Sequence, residues 1–105
     1  MKYEQKRDVL HLYFEGEFDH QNVLRIKEES IALIERFHPH LLKLDFKDVS
    51  FVDSSGIGYV LARYKQVKQW QGEIVICNLT RLNKTIFDMS GIFQLARYER
   101  SEGRK

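Results

Sequence analysis

The chain has 105 residues, 43% of them hydrophobic and 30% charged, with a formal net charge of +2 at pH 7. That is the balance of one small globular domain with one core, and it excludes a disordered chain; no apolar run approaches the roughly 20 residues of a membrane span. Cys77 is the only cysteine, which excludes an internal disulfide, and the basic residues are spread too thinly for the dense basic face of a nucleic-acid binder.

The N-terminus, MKYEQKRDVL, alternates charge and apolarity and has no signal-peptide core. With a lone thiol this points to a reducing, cytoplasmic setting, with no membrane and no nucleic acid as partner. Met1–Gln5 can pair with Val9–Glu15 as a hairpin across Lys6, Arg7 and Asp8. In VLHLYFE, Leu10, Leu12 and Phe14 alternate with His11, Tyr13 and Glu15, the period of a half-buried strand, so His11 is expected on the solvent side. Gly16 reads as the break of that strand. Asp19 is placed to cap a helix from about His20 to Phe37 with Val23, Ile26, Ile34 and Phe37 on one face, and Pro39 ends it.

Leu41–Phe46 (LLKLDF) reads as the next strand, followed by FVDSSGIG as a turn. Ile57, Val60, Leu61, Tyr64 and Val67 then recur at helical spacing, which leaves Arg63, Lys65, Gln66, Lys68 and Gln69 for a solvated face. Gly72 stops that helix. Glu73–Cys77 (EIVIC) is a nearly continuous apolar strand, the pattern of a strand covered on both faces. Thr80 can cap a third helix carrying Leu82, Ile86 and Met89, closed by Gly91, and Leu95–Tyr98 makes a short last strand. Strands alternating with helices imply right-handed crossovers. The expected fold is a single α/β domain over residues 1–105, a mixed, mainly parallel sheet with an N-terminal antiparallel edge strand and three crossover helices. The tail from about residue 100 to 105 is expected to be flexible.

Ligand-side loops in such a sheet follow the carboxyl ends of the strands: Gly16–His20, Asp48–Gly58, Asn78–Arg81 and the stretch after Tyr98. Enzyme motifs mostly fail there. Gly56-Ile57-Gly58 begins like a dinucleotide fingerprint, but Leu61 stands where the third glycine belongs, and no phosphate-loop lysine follows. A small nucleotide-binding protein using the Gly56–Gly58 turn is the residual alternative from another class. The serines lack a nucleophile elbow and a His–acid activator. His11, His20, His38 and His40 have no cysteine or paired carboxylate nearby in the sequence, so no metal and no cofactor is expected, and Cys77 reads as a buried inert thiol.

Asp53-Ser54-Ser55-Gly56 has two readings. Either Ser or Asp caps the helix and glycine relieves the turn, or Ser54 accepts a phosphoryl group that the free N–H groups of the helix start could hold, with Asp53 opposing the added charge. Local chemistry leaves both open. GEFDHQ at Gly16–Gln21, FVDSSGIGYVLARYKQVKQ at Phe51–Gln69 and KTIFDMSGIF at Lys84–Phe93 together resemble the STAS domain family, in its stage II sporulation protein AA type, the anti-sigma F factor antagonists. The resemblance covers Gly16–Ser101 and implies an adaptor rather than an enzyme, monomeric when free, in partner-switching control of sporulation transcription. It implies that the unmodified protein binds an anti-sigma factor that is also a serine kinase, that this kinase phosphorylates Ser54, and that a serine phosphatase resets the protein. By the same resemblance Asp19, Asp53, Ser54, Ser55, Gly56 and Ile57 form the partner surface. A STAS module in another regulatory or transport-associated assembly is the alternative. The sequence departs from the family pattern in being slightly basic, and in reading Ser101–Lys105 where members continue into an amphipathic helix.

Overall fold

A computed structural model describes residues 1–100 of the chain. The tail expected to be flexible lies, apart from Arg100, outside the described residues. Five strands form one sheet in the order β1-β2-β3-β4-β5, with β1 (Lys2–Lys6) antiparallel to β2 (Val9–Phe18) and all later pairs parallel. β3 spans Leu41–Val52, β4 Glu73–Cys77 and β5 Arg97–Glu99; the helices are α1 (His20–Phe37), α2 (Ser54–Lys68) and α3 (Arg81–Ser90). The β1–β2 turn is two residues long, with Arg7 in the left-handed region at φ 57° rather than a glycine.

Strand order decides where the helices lie. From β2 to β5 the chain always steps to the next position in the same direction, and right-handed crossovers then put every helix on the same face. The core agrees: Val23, Leu33 and Ile34 of α1, Tyr59, Val60 and Val67 of α2, and Phe87 of α3 share one cluster with Leu10, Leu12, Leu42, Leu44, Ile74 and Ile76. Alternate strand residues, including His11, Lys43, Asp45, Val75 and Cys77, point to the other face, against which no helix packs among the described residues. β4 is therefore buried along Ile74–Cys77 for two different reasons, by helices on one face and by neighbouring side chains on the other.

Three expected boundaries move. Gly16 does not end β2; it sits at φ 84° beside an irregularity in the β2–β3 ladder, and the strand runs on to Phe18. β3 runs on past Phe46 to Val52. Its inward residues are Leu42, Leu44, Phe46, Val49 and Val52, because the register shifts between Tyr13 and Glu15 and between Gly16 and Glu17 each give β3 one extra residue. Period-two alternation fails there, and that failure made the strand look shorter than it is. The last strand also shifts, to Arg97–Glu99, after a short 3-10 turn at Ile92–Gln94.

Two helix faces also differ from expectation. Arg63 and Gln66 are buried between α1 and α2, not solvated. Arg63 Nε donates to Gln66 Oε1 at 2.9 Å, Gln66 Nε2 donates to Glu35 Oε2 at 3.0 Å, and the guanidinium lies 5.0 Å from the Tyr59 ring centroid. Tyr59 in turn donates to Ser30 Oγ at 2.6 Å. The seam between the helices is thus a polar chain seated on the apolar core. In α3 the buried pair is Asn83 and Phe87, while Leu82 and Met89 are 60% and 83% exposed. The reason lies in β3: beyond Asp45 it has no β4 partner, and Asn83 Nδ2 donates to the Val49 carbonyl at 3.2 Å in place of a ladder bond. Phe87 packs next to it on Phe46, ring centroids 5.4 Å apart.

Alanine substitution separates the two faces of α3. Phe87→Ala is expected to cost about 3–5 kcal/mol, whereas Leu82→Ala and Met89→Ala should stay within about 0.5 kcal/mol. Urea unfolding of the three variants reads this directly, and a large loss at Met89 would mean that α3 is turned the other way.

Candidate functional site at the carboxyl edge of the sheet

β2 and β3 end together. Phe18 pairs with Val52, and the Asp53 N–H donates to the Phe18 carbonyl at 3.4 Å. Each strand then delivers an aspartate in nearly the same extended conformation, φ −109° and ψ −176° at Asp19, φ −112° and ψ −172° at Asp53. Asp19 caps α1, its Oδ1 accepting from the Asn22 N–H at 3.1 Å. Asp53 caps α2, its Oδ1 accepting from Ser55 N–H at 2.9 Å and Gly56 N–H at 3.3 Å. Two helix N-termini therefore stand side by side at one edge, each closed by a carboxylate.

Ser54 follows as the first residue of α2. It is exposed, and its hydroxyl has no hydrogen-bond partner among the described residues. The cap is Asp53, not a serine, so of the two readings of this stretch the capping role falls on the neighbour and leaves Ser54 without a structural task. The amides of Ser55 and Gly56, the donors a bound phosphate would need, are already occupied by the Asp53 carboxylate. Ser55 and Ile57 are half-buried, and Ile57 and the exposed Gly58 lie one turn on from Ser54 on the same flank of the helix.

The two glycines have opposite reasons. A Cβ at Gly56 would stand 2.6 Å from Phe18 Cδ2, 2.8 Å from the Phe18 carbonyl and 2.9 Å from Val52 Cγ1. Only a residue without a side chain lets α2 seat on the β2–β3 ends. A Cβ at Gly58 would meet nothing within 4 Å. Packing does not require glycine there, although glycine inside a helix costs about 1 kcal/mol relative to alanine.

The expected histidine isolation does not hold. His11 faces away from the helices, but its Nε2 lies 2.9 Å from Asp45 Oδ2, and Cys77 stands on the next strand. Pairing across three strands brings together residues that are far apart in the sequence. Burial opposes the charge on Asp45, but hydrogen bonds from His11, Asn78 and the Lys47 N–H outweigh it and hold the carboxyl below its ordinary range. Burial, helped by Asp45 and Glu99, pushes the Cys77 thiol up to about 12, so the thiol is no nucleophile near neutral pH. His20, His38 and His40 do not join this group and lie apart on the surface.

With this geometry in view, the STAS domain family matches residues 1–104. The chain belongs to the STAS domain family. An anti-sigma F factor antagonist from Paenibacillus polymyxa is 34% identical over 92 residues, which is 88% of this chain and 79% of that protein. An anti-sigma-B factor antagonist from Bacillus subtilis is 28% identical over 88 residues, 84% of this chain and 79% of that protein. Among solved structures, the anti-sigma factor antagonist SpoIIAA in its unphosphorylated form superposes with a TM-score of 0.83 at 24% identity, covering 97% of this chain and 88% of that one. The phosphorylated Bacillus SpoIIAA superposes with a TM-score of 0.73 at 25% identity, covering 97% and 91%. No helix among the described residues is long and apolar enough to cross a membrane.

Two expectations follow from this edge. Gly56→Ala should destabilise by about 1–3 kcal/mol through overpacking, whereas Gly58→Ala should stabilise by about 0.5–1 kcal/mol. Equal effects in chemical denaturation would contradict the seat described for Gly56. For Asp45, a folded pKa below the unfolded value of about 3.9 makes its contribution present above that pH and lost as pH falls through the folded value. Denaturation midpoints below about pH 4 should therefore fall less steeply for Asp45→Asn than for the parent; parallel acid limbs would remove Asp45 from acid sensitivity.

Proposed function

We propose that the protein is an anti-sigma factor antagonist working as a phosphorylation switch, an adaptor in the cytoplasm and not an enzyme. Its unmodified form binds an anti-sigma factor that is also a serine kinase and so frees the sigma factor. The kinase then moves the γ-phosphoryl group of ATP onto Ser54 Oγ, with ADP leaving and the hydroxyl proton lost, and binding ends. A serine phosphatase restores the hydroxyl. The observation that carries this reading is the exposed Ser54 hydroxyl, free of structural duty directly after a filled cap, in a chain whose relatives include antagonists of anti-sigma factors.

The surface around Ser54 supports it. Ile57 offers a half-buried apolar contact and Gly58 leaves the helix backbone bare, so a partner could approach α2 closely. Asp19, Asp53 and Ser55 complete the proposed partner surface; Asp19 is half-buried and also caps α1, so its loss touches both binding and folding. A phosphate adds about −1.5 to −2 charges next to the Asp53 carboxylate. The same switch in a pathway other than sporulation is the second reading, favoured by the Bacillus subtilis relative named for sigma-B.

The test is incubation with the anti-sigma kinase of the same genome and ATP, followed by phosphosite mapping. Modification is expected at Ser54 alone, and Ser54→Ala should stay unmodified, remain bound and keep its stability within about 0.5 kcal/mol. Phosphate found on another residue refutes the assignment. Gly58→Lys should lose no stability yet weaken partner binding at least tenfold; unchanged affinity would take Gly58 out of the docking surface.

A further inference from the structure

The face of the sheet that no helix covers carries a cluster for which the proposed switch has no use. His11 on β2, Asp45 on β3 and Cys77 on β4 come from three adjacent strands, with Asp45 paired to Tyr13 on one side and Cys77 on the other. A histidine nitrogen, a carboxylate oxygen and the thiol sulfur all lie within 4.8 Å of one another. Two of the three are held from behind. The His11 ring stacks on Tyr13 with centroids 4.1 Å apart and planes 12° apart. Asn78 Nδ2 donates to both Asp45 oxygens at 3.1 and 3.2 Å, and the Lys47 N–H donates to Oδ1 at 3.0 Å. Such outer partners are what orients ligands in metal sites.

We propose that His11, Asp45 and Cys77 form a site for a divalent transition-metal cation of the zinc type, bound by one nitrogen, one oxygen and one sulfur with a fourth position open to solvent. The sulfur binds as thiolate, so the Cys77 proton is released to solvent as the cation enters. The donor set selects the class of ion. Calcium and magnesium take oxygen ligands, and copper(I) favours sulfur, whereas zinc accepts all three donor types. Zinc bond lengths place tetrahedral donors roughly 3.5 Å apart, so the 2.9 Å His11–Asp45 contact must open slightly while the wider separations close by up to about an ångström. The His11 side chain, 19% exposed against 6% for Asp45, is the more exposed of the two and would shift along the Tyr13 ring as the cation replaces its hydrogen bond to the carboxylate. The surrounding charge suits a cation: Asp45 and Glu99 act on Cys77 against one ammonium, Lys43, which is itself paired with Glu99 at 3.4 Å.

The site is separate from the switch. Seven residues of β3 divide Asp45 from Asp53, roughly 20–25 Å along the strand. The proposal therefore stands or falls independently of Ser54.

Cobalt(II) is the probe, titrated into the full chain under reducing conditions. Expected are saturation at one equivalent, the intense visible bands of tetrahedral cobalt, a thiolate-to-metal charge-transfer band, and displacement of both by zinc. His11→Gln should weaken cobalt binding by more than the roughly 10–100-fold that loss of an outer partner costs. Cys77→Ala should abolish the charge-transfer band, and Ser54→Ala should leave every band in place. Because His11 is only half-buried, His11→Gln is expected to fold even if Cys77→Ala does not, and it then carries the test alone. Only the weak absorption of octahedral cobalt, or tetrahedral bands that survive His11→Gln undiminished, would overturn the site.

Discussion

The structure depends on the parallel pairing of β2 with β3, and above all on its last rung, Phe18 against Val52. That rung brings two chain segments to the same edge at the same level, and both continue as aspartate-capped helices. It also creates the floor on which α2 sits, since the Phe18 side chain, the Phe18 carbonyl and the Val52 side chain together leave no room for a Cβ at Gly56. The two bulges in β3 let the strand keep pace with β2 while returning Val49 and Val52 to the core. With only one of the two extra residues Val52 and the segment after it would face the wrong way, because a slip of one residue turns a strand side chain to the opposite face; the second slip restores it.

What could be read from the sequence follows from how local each signal is. Helix α1, strand β4 and the caps Asp19 and Thr80 match expectation because a cap and a run of period are written within a few neighbouring residues. The end of β3 was hidden because bulges destroy the alternation by which a strand is recognised. Arg63 and Gln66 look like surface residues in isolation; they are buried because each is the other's partner, with Glu35 and Tyr59 across the seam. Asn83 is inward for a similar reason, since the carbonyl it satisfies belongs to a strand more than thirty residues away. Leu82, Ile86 and Met89 made the more apolar stripe, but α3 turns inward on Phe87, which packs against Phe46, and on Asn83, which satisfies the Val49 carbonyl. Ser54 was legible as a candidate, while its freedom from capping required the coordinates of Asp53.

The monotonic strand order has a chemical consequence on each side of the sheet. It stacks all three helices over one face, so the apolar core cluster lies there and the opposite face must satisfy polar groups without a helix to cover them. Asp45 is buried on that face and stays charged only because His11, Asn78 and the Lys47 amide surround it. The histidine that periodicity assigns to solvent is therefore half of a buried interaction. A doubly covered sheet would have placed apolar residues at these positions and left no such cluster.

The same constraint bears on how a charge added at Ser54 would act. Helix N-termini hold phosphate through unoccupied amides, but here the amides of Ser55 and Gly56 already donate to Asp53. For a phosphate to take them, Asp53 would have to leave or the amides would have to turn. Turning them means lifting Gly56 from Phe18 and Val52, where its contacts are closest. The helix start is pinned from below, so a phosphate at Ser54 would project outward beside the carboxylate rather than remodel the fold. Its effect then falls on whatever must be desolvated against that edge. Each 1.4 kcal/mol of that penalty weakens binding about tenfold, and an unpaired buried charge can cost several kcal/mol. A switch built this way would need no second conformation of the domain; it would need a rigid edge on which one hydroxyl is exposed and the Ser55 and Gly56 amides are already taken.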